Sequence, residues 1–116
     1  MIVGVQGTSS FDDYKVFLRA MGVALSGLPE TDEYFHIYSA GPANINAMVS
    51  EFVNLSERGL KSRGKKTKFF KVAPQWISEN IDSFNYLAFL SNEGEPVSRL
   101  VDTAQLNKVE VGIFRY

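Results

Sequence analysis

Two hydrophobic periods alternate along this chain, and that alternation restricts its fold more than any other feature. Ile2-Val3-Gly4-Val5 is a short strand-like run. From Asp12 to Leu25 the apolar residues Tyr14, Phe17, Leu18, Met21 and Leu25 then recur at helical spacing. Tyr34 to Ser39 is a dense aromatic and β-branched strand. After it, Ile45, Met48, Val49, Phe52 and Val53 mark a helix opened by Pro42 and running to about Arg58. A third strand is expected over Lys68–Val72 and a short helix around Ile77–Ile81. Tyr86-Leu87-Ala88-Phe89-Leu90 is apolar throughout, as a strand covered on both faces should be. Pro96 is expected to open a helix along Val97, Leu100, Val101 and Ala104, before an edge strand at Val109, Val111 and Ile113. A strand that leaves through a helix re-enters the sheet from the same end, so five such strands predict a parallel sheet. The fold class is therefore α/β. We expect a three-layer Rossmann-like fold with five parallel strands in the order 3-2-1-4-5 and helices on both faces. Residues 1–116 form one domain.

In that order the crossovers diverge between strands 1 and 4, and ligands of such sheets bind outside the carboxyl ends of the strands at that point. The loops that meet there are Gly7-Thr8-Ser9-Ser10 and Ser91-Asn92-Glu93-Gly94-Glu95, with Ala40-Gly41-Pro42 adjacent. They are rich in Gly and small polar residues, as a ligand loop at a helix start would be. Within the first loop, Ser9 or Ser10 would cap the following helix. Asp12 and Asp13 in its first turn would repel a phosphate, so a nucleoside or a sugar suits the loop better. Gly27 suits a left-handed cap after the first helix. The loop carries neither a dinucleotide fingerprint nor a Walker sequence. Asn44 and Asn46, near a helix start, either read a base or ribose or are ordinary first-turn residues. Asp13 and Glu95 are the candidates for acid–base or nucleophilic work, although no spacing pairs them.

Composition excludes several function classes. With no cysteine there is no disulfide, thiolate nucleophile or cysteine-held metal. A net charge of −1 does not call for nucleic acid or an anionic membrane. No apolar run reaches the roughly 20 residues of a membrane span, and the opening residues lack the pattern of a signal peptide. A cytoplasmic protein with no membrane partner is the expectation, and no metal or other cofactor is implied. His36, the one histidine, sits mid-strand among aromatics and reads as a packed, hydrogen-bonded residue. Trp76 either packs or stacks on a base, and Arg99 either faces solvent or meets an anion. Seven of the twelve basic residues fall in Arg58–Lys71. That segment leads into the third strand at the amino end of the sheet, away from the ligand crevice. It reads first as a solvated face and second as a surface for nucleic acid or a protein partner.

These residues resemble the SLOG superfamily, in particular its small YspA-like branch alongside the DprA and LOG proteins. The likeness lies in Val3-Gly4-Val5-Gln6-Gly7-Thr8-Ser9-Ser10-Phe11-Asp12-Asp13, in Ile37-Tyr38-Ser39-Ala40-Gly41 and in Pro74-Gln75-Trp76. It continues through Leu87-Ala88-Phe89-Leu90, Gly94 and Asp102-Thr103-Ala104. The resemblance implies a pocket for a nucleotide-derived small molecule, lined by Gly7, Thr8, Ser9, Ser39 and Gly41. Ser10, Asn44 and Gly94 join it on the loop argument above. Ser stands where that branch has Arg in the first loop, and the P-G-G-x-G-T-x-x-E signature of LOG-type hydrolases is absent. The expected function is thus a nucleotide-binding sensor or sequestering protein. Two alternatives stay open: an interaction protein engaging a protein or nucleic acid through its basic or edge surface, and a nucleoside or nucleotide N-glycosidic hydrolase or transferase. A homo-oligomer is left open as well.

Overall fold

The computed structural model describes residues 1–115. Strands β1 (Ile2–Gly7), β2 (Tyr34–Ser39), β3 (Lys66–Lys71), β4 (Tyr86–Ser91) and β5 (Glu110–Arg115) form one sheet in the order β3-β2-β1-β4-β5. Every pairing is parallel. The chain is α/β with the expected strand order. Helices α1 (Tyr14–Ser26) and α2 (Ala43–Ser62) cover one face, and α3 (Pro74–Glu79) and α4 (Arg99–Leu106) lie on the other.

Strand parity builds the two cores. Val3, Val5, Phe35, Ile37, Ala88 and Leu90 point toward α1 and α2, where Phe17, Met21, Ile45 and Val49 are fully buried. Leu87 and Phe89 point the other way, toward Ile77, Leu100, Val101 and Ala104. β4 is buried along its whole length because both layers press on it, which is why its sequence shows no alternation. β5 lies at one margin of the sheet, as its alternating pattern predicts.

Element ends depart from the sequence reading at several points, each for a local reason. α1 starts later than expected, and Asp13 rather than Ser9 or Ser10 caps it, its Oδ1 accepting from Val16 N at 3.0 Å. The delay follows from Phe11, which is buried in the core and holds the loop down before the helix can begin. Gly27 is not left-handed; at φ −91° its N–H still reaches Ala24 O and Leu25 O. Pro42 precedes α2 instead of opening it. α2 runs on past Arg58 to Ser62, since buried Leu60 anchors its last turn and the left-handed residue that releases the chain is Gly64, at φ 75°. The basic segment is thus largely helix and strand: Arg58 and Lys61 belong to α2, and Lys66, Lys68 and Lys71 to β3. α3 begins at Pro74, with a 3₁₀ turn at Ile81–Ser83 after it. α4 begins at Arg99 rather than Pro96, because the Ser98 hydroxyl accepts from Leu100 N at 3.1 Å and Pro96 has no such capping group.

No helix among the described residues is long and apolar enough to cross a membrane.

Candidate functional site

The carboxyl end of β1 is stitched to both of its neighbours. Gly7 N donates to Gly41 O at 3.1 Å and Thr8 N to Leu90 O at 3.0 Å, so three loops meet over the point where the crossovers diverge. Gly7 itself ends β1 and does not belong to the loop. A methyl group there would lie 2.6 Å from Ile45 Cδ1 and 2.7 Å from Leu90 O, so close packing of α2 onto the sheet calls for glycine. Gly41, by contrast, is left-handed at φ 82° and precedes a cis peptide to Pro42.

Asn44 sits at the start of α2 and faces back under the first loop. Its Nδ2 donates to Thr8 O at 3.0 Å and to Phe11 O at 2.8 Å. Ser39 is fully buried; its hydroxyl donates to Asn46 Oδ1 at 2.5 Å and accepts from Gly41 N at 3.3 Å. Gly7, Ser39, Gly41 and Asn44 therefore form a support beneath the first loop. Ser9 is exposed on that loop, and Asp13 is committed to capping α1.

Above this support the loops after β1 and β4 converge on one carboxylate. Gly94, left-handed at φ 88°, turns the chain after β4 so that Glu95 folds back over the first loop. Thr8 Oγ1 donates to Glu95 Oε1 at 2.8 Å, Ser10 Oγ to Glu95 Oε2 at 2.7 Å and Asn92 N to Glu95 Oε1 at 2.6 Å. Asn92 Nδ2 closes the arrangement by donating to Ser10 O at 3.1 Å. The Ser10 hydroxyl, the Asn92 amide and the Thr8 hydroxyl hold the Glu95 carboxyl below its ordinary range, and the charge of Arg115 adds to their effect. At neutral pH Glu95 is an oriented, ionised acceptor with three donors on roughly four lone-pair positions. It suits accepting hydrogen bonds from hydroxyl groups, and its lowered pKa makes it a weak base and a poor proton donor.

Two polar groups next to this point escaped sequence reasoning. Gln6 Oε1 and Ser91 Oγ are buried without a hydrogen-bond partner among the described residues. By strand parity they stand on the α3–α4 side, near the carboxyl ends of the two adjacent strands β1 and β4. Buried polar atoms usually find partners, so this couple stands out at the switch point, but both atoms are closed off from the surface. Only the paired register of β1 and β4 brings them together; neither residue stands out in the sequence. On the same side, Pro74, Gln75 and Ser78 of α3 and Ser98, Arg99 and Thr103 of α4 line a groove of about 180 Å³. Arg99 is exposed there and makes no salt bridge among the described residues. Trp76 is stacked on Tyr38, ring centroids 4.9 Å apart. His36 packs between Tyr34 and Phe70, but its Nε2 finds no partner among the described residues, so the expected hydrogen bond is not there. Burial lowers its pKa, and the amino terminus and Lys68 act in the same direction.

The arrangement is an acceptor-rich corner of polar loops on a parallel sheet, with the Arg99 cation at the margin. Comparison with protein-family models, with curated proteins and with solved structures finds no match for this chain.

Proposed function

We propose that this protein is a small Rossmann-like binding module whose ligand carries a nucleoside, held at the carboxyl ends of β1 and β4 as by a sensor or sequestering protein. The observation that carries this reading is the Glu95 carboxylate, oriented by Thr8, Ser10 and Asn92 directly over the first βα loop. A phosphate placed on that loop would face a like charge. A ribose diol would replace the two protein hydroxyls on the carboxylate one for one, freeing Thr8 and Ser10 to bind the ligand in turn. Arg99 offers a two-pronged donor if the ligand extends into phosphate. The likeness of the opening strand and loop to SLOG domains supports the same ligand class.

The test is a thermal-shift screen of ribonucleosides, their 2′-deoxy forms, nucleotides, ADP-ribose derivatives and cyclic dinucleotides. A ligand at 100 times its Kd stabilises the fold by about 2.7 kcal/mol. In a domain of this size that raises Tm by on the order of 10 °C. Ribonucleosides should shift Tm more than their deoxy forms, and Glu95→Gln should abolish the difference. Equal shifts in wild type and Glu95→Gln, or none with any compound, would remove the reading. Free base in the chromatogram of an incubated hit would replace holding with N-glycosidic cleavage.

A further inference from the structure

The two faces of the sheet are not equally covered. On the α3–α4 side, α4 packs over β4 and β5, and α3 lies against α4. Toward β2 and β3 the cover thins to the rings of Trp76 and Phe84, which meet Tyr38. Parity and register then put Tyr34, His36 and Tyr38 of β2 beside Lys66, Lys68 and Phe70 of β3 on the open part of this face. Tyr34 is 45% exposed and Trp76 38%, while Lys66 and Lys68 are exposed and make no salt bridge among the described residues. The rings form a continuous run. Tyr34 meets His36 edge-on at 5.2 Å, His36 meets Phe70 at 5.6 Å, Phe70 stacks on Tyr38 at 4.5 Å, and Tyr38 stacks on Trp76.

A half-buried row of rings that ends in the exposed Tyr34 and Trp76, beside lysines without salt bridges among the described residues, calls for a partner that offers flat apolar faces and negative charge together. We propose that the open β2–β3 half of the sheet binds single-stranded nucleic acid, with bases stacking on Tyr34 and Trp76 and phosphates meeting Lys66 and Lys68. Tyr34 and Tyr38 are about 13 Å apart along the strand. That is a platform of the kind on which sheet proteins stack two or three unpaired bases. A duplex keeps its bases stacked on one another and cannot offer their faces to such a platform. An acidic polypeptide would satisfy the lysines but leave the rings bare. This surface lies apart from the Glu95 loop, and the proposal does not rest on the nucleoside reading.

Trp76 is the one tryptophan of the chain, so binding has an intrinsic reporter. Dye-labelled oligo-dT and oligo-U, a duplex of equal length and polyglutamate are titrated against the full chain at several salt concentrations. Anisotropy and Trp76 fluorescence are both followed. Single strands should bind and quench Trp76, and the ratio of RNA to DNA affinity reads contact with the 2′-hydroxyl. Tyr34→Ala, a change at a largely exposed ring, should weaken binding at least fivefold with Tm little altered. Lys66→Ala with Lys68→Ala should make the log–log salt dependence shallower by about 1.4. The proposal is overturned if single strands do not bind at low salt, or if the duplex or polyglutamate binds as tightly. Binding that leaves Trp76 unquenched and is indifferent to Tyr34→Ala overturns it too. A thermal shift with ribonucleosides that persists in Tyr34→Ala keeps the two proposals separable.

Discussion

At the scale of single residues, position 7 separates what glycine does for packing from what it does for a ligand. Alanine there would place its methyl group 2.7 Å from the Leu90 carbonyl oxygen and 2.6 Å from Ile45 Cδ1. The isoleucine can turn aside, but the carbonyl belongs to β4, an interior strand of the sheet, and cannot. Overpacking of this kind costs about 2 kcal/mol. Gly7→Ala should therefore lower Tm by roughly 8 °C in a calorimetric scan. An unchanged Tm would mean that α2 does not press on β1 as described. Glu95 illustrates the opposite case. Its side chain is partly exposed and stabilises no core, yet three donors from two separate loops aim at it. Sequence spacing shows a carboxylate near the crevice. It does not show that the Gly94 turn brings that carboxylate onto Thr8 and Ser10, because this depends on two loops more than eighty residues apart.

At the scale of elements, strand and helix identities were legible because the hydrophobic period changes cleanly from two to 3.6 between them. Strand order was legible through the rule of right-handed crossovers. Helix starts were less so. Ser9, Ser10 and Pro96 all carry start signals, yet those helices begin where a better cap decides, after Asp13 and after Ser98, whereas Pro42 marks the start of α2 to within one residue. The basic segment was legible as charge but not as structure. Lys65, only 4% exposed, is withdrawn from its neighbours; its ammonium donates to Pro29 O at 3.2 Å, Glu30 O at 2.7 Å and Asp32 O. It fastens the loop before β2 to the start of β3. Lys65→Met leaves those carbonyls without a donor and should cost about 2 kcal/mol in urea unfolding. If the loss is negligible, water serves the loop as well as the lysine does.

At the scale of the whole molecule, the layered sheet ranks its strands by protection. β1 and β4 have a hydrogen-bonded neighbour on each side and cores on both faces, whereas β3 and β5 each have one free edge. Amides of Val3–Gln6 and Leu87–Phe89 should exchange with deuterium only through global unfolding, and those of Lys66–Lys71 orders of magnitude faster. Equal protection at β3 would mean that its edge is covered in solution, which would give the homo-oligomer left open by the sequence a defined seam. That edge has a further consequence. Arg58–Lys71 holds seven positive charges and no carboxylate, so the rest of the chain carries thirteen acids against five bases. A near-neutral total thus conceals an uneven distribution of charge along the chain, with the β3 flank the region richest in cations. On a cation-exchange column the protein should be retained above its calculated isoelectric point of about 5.8, turning that flank to the resin.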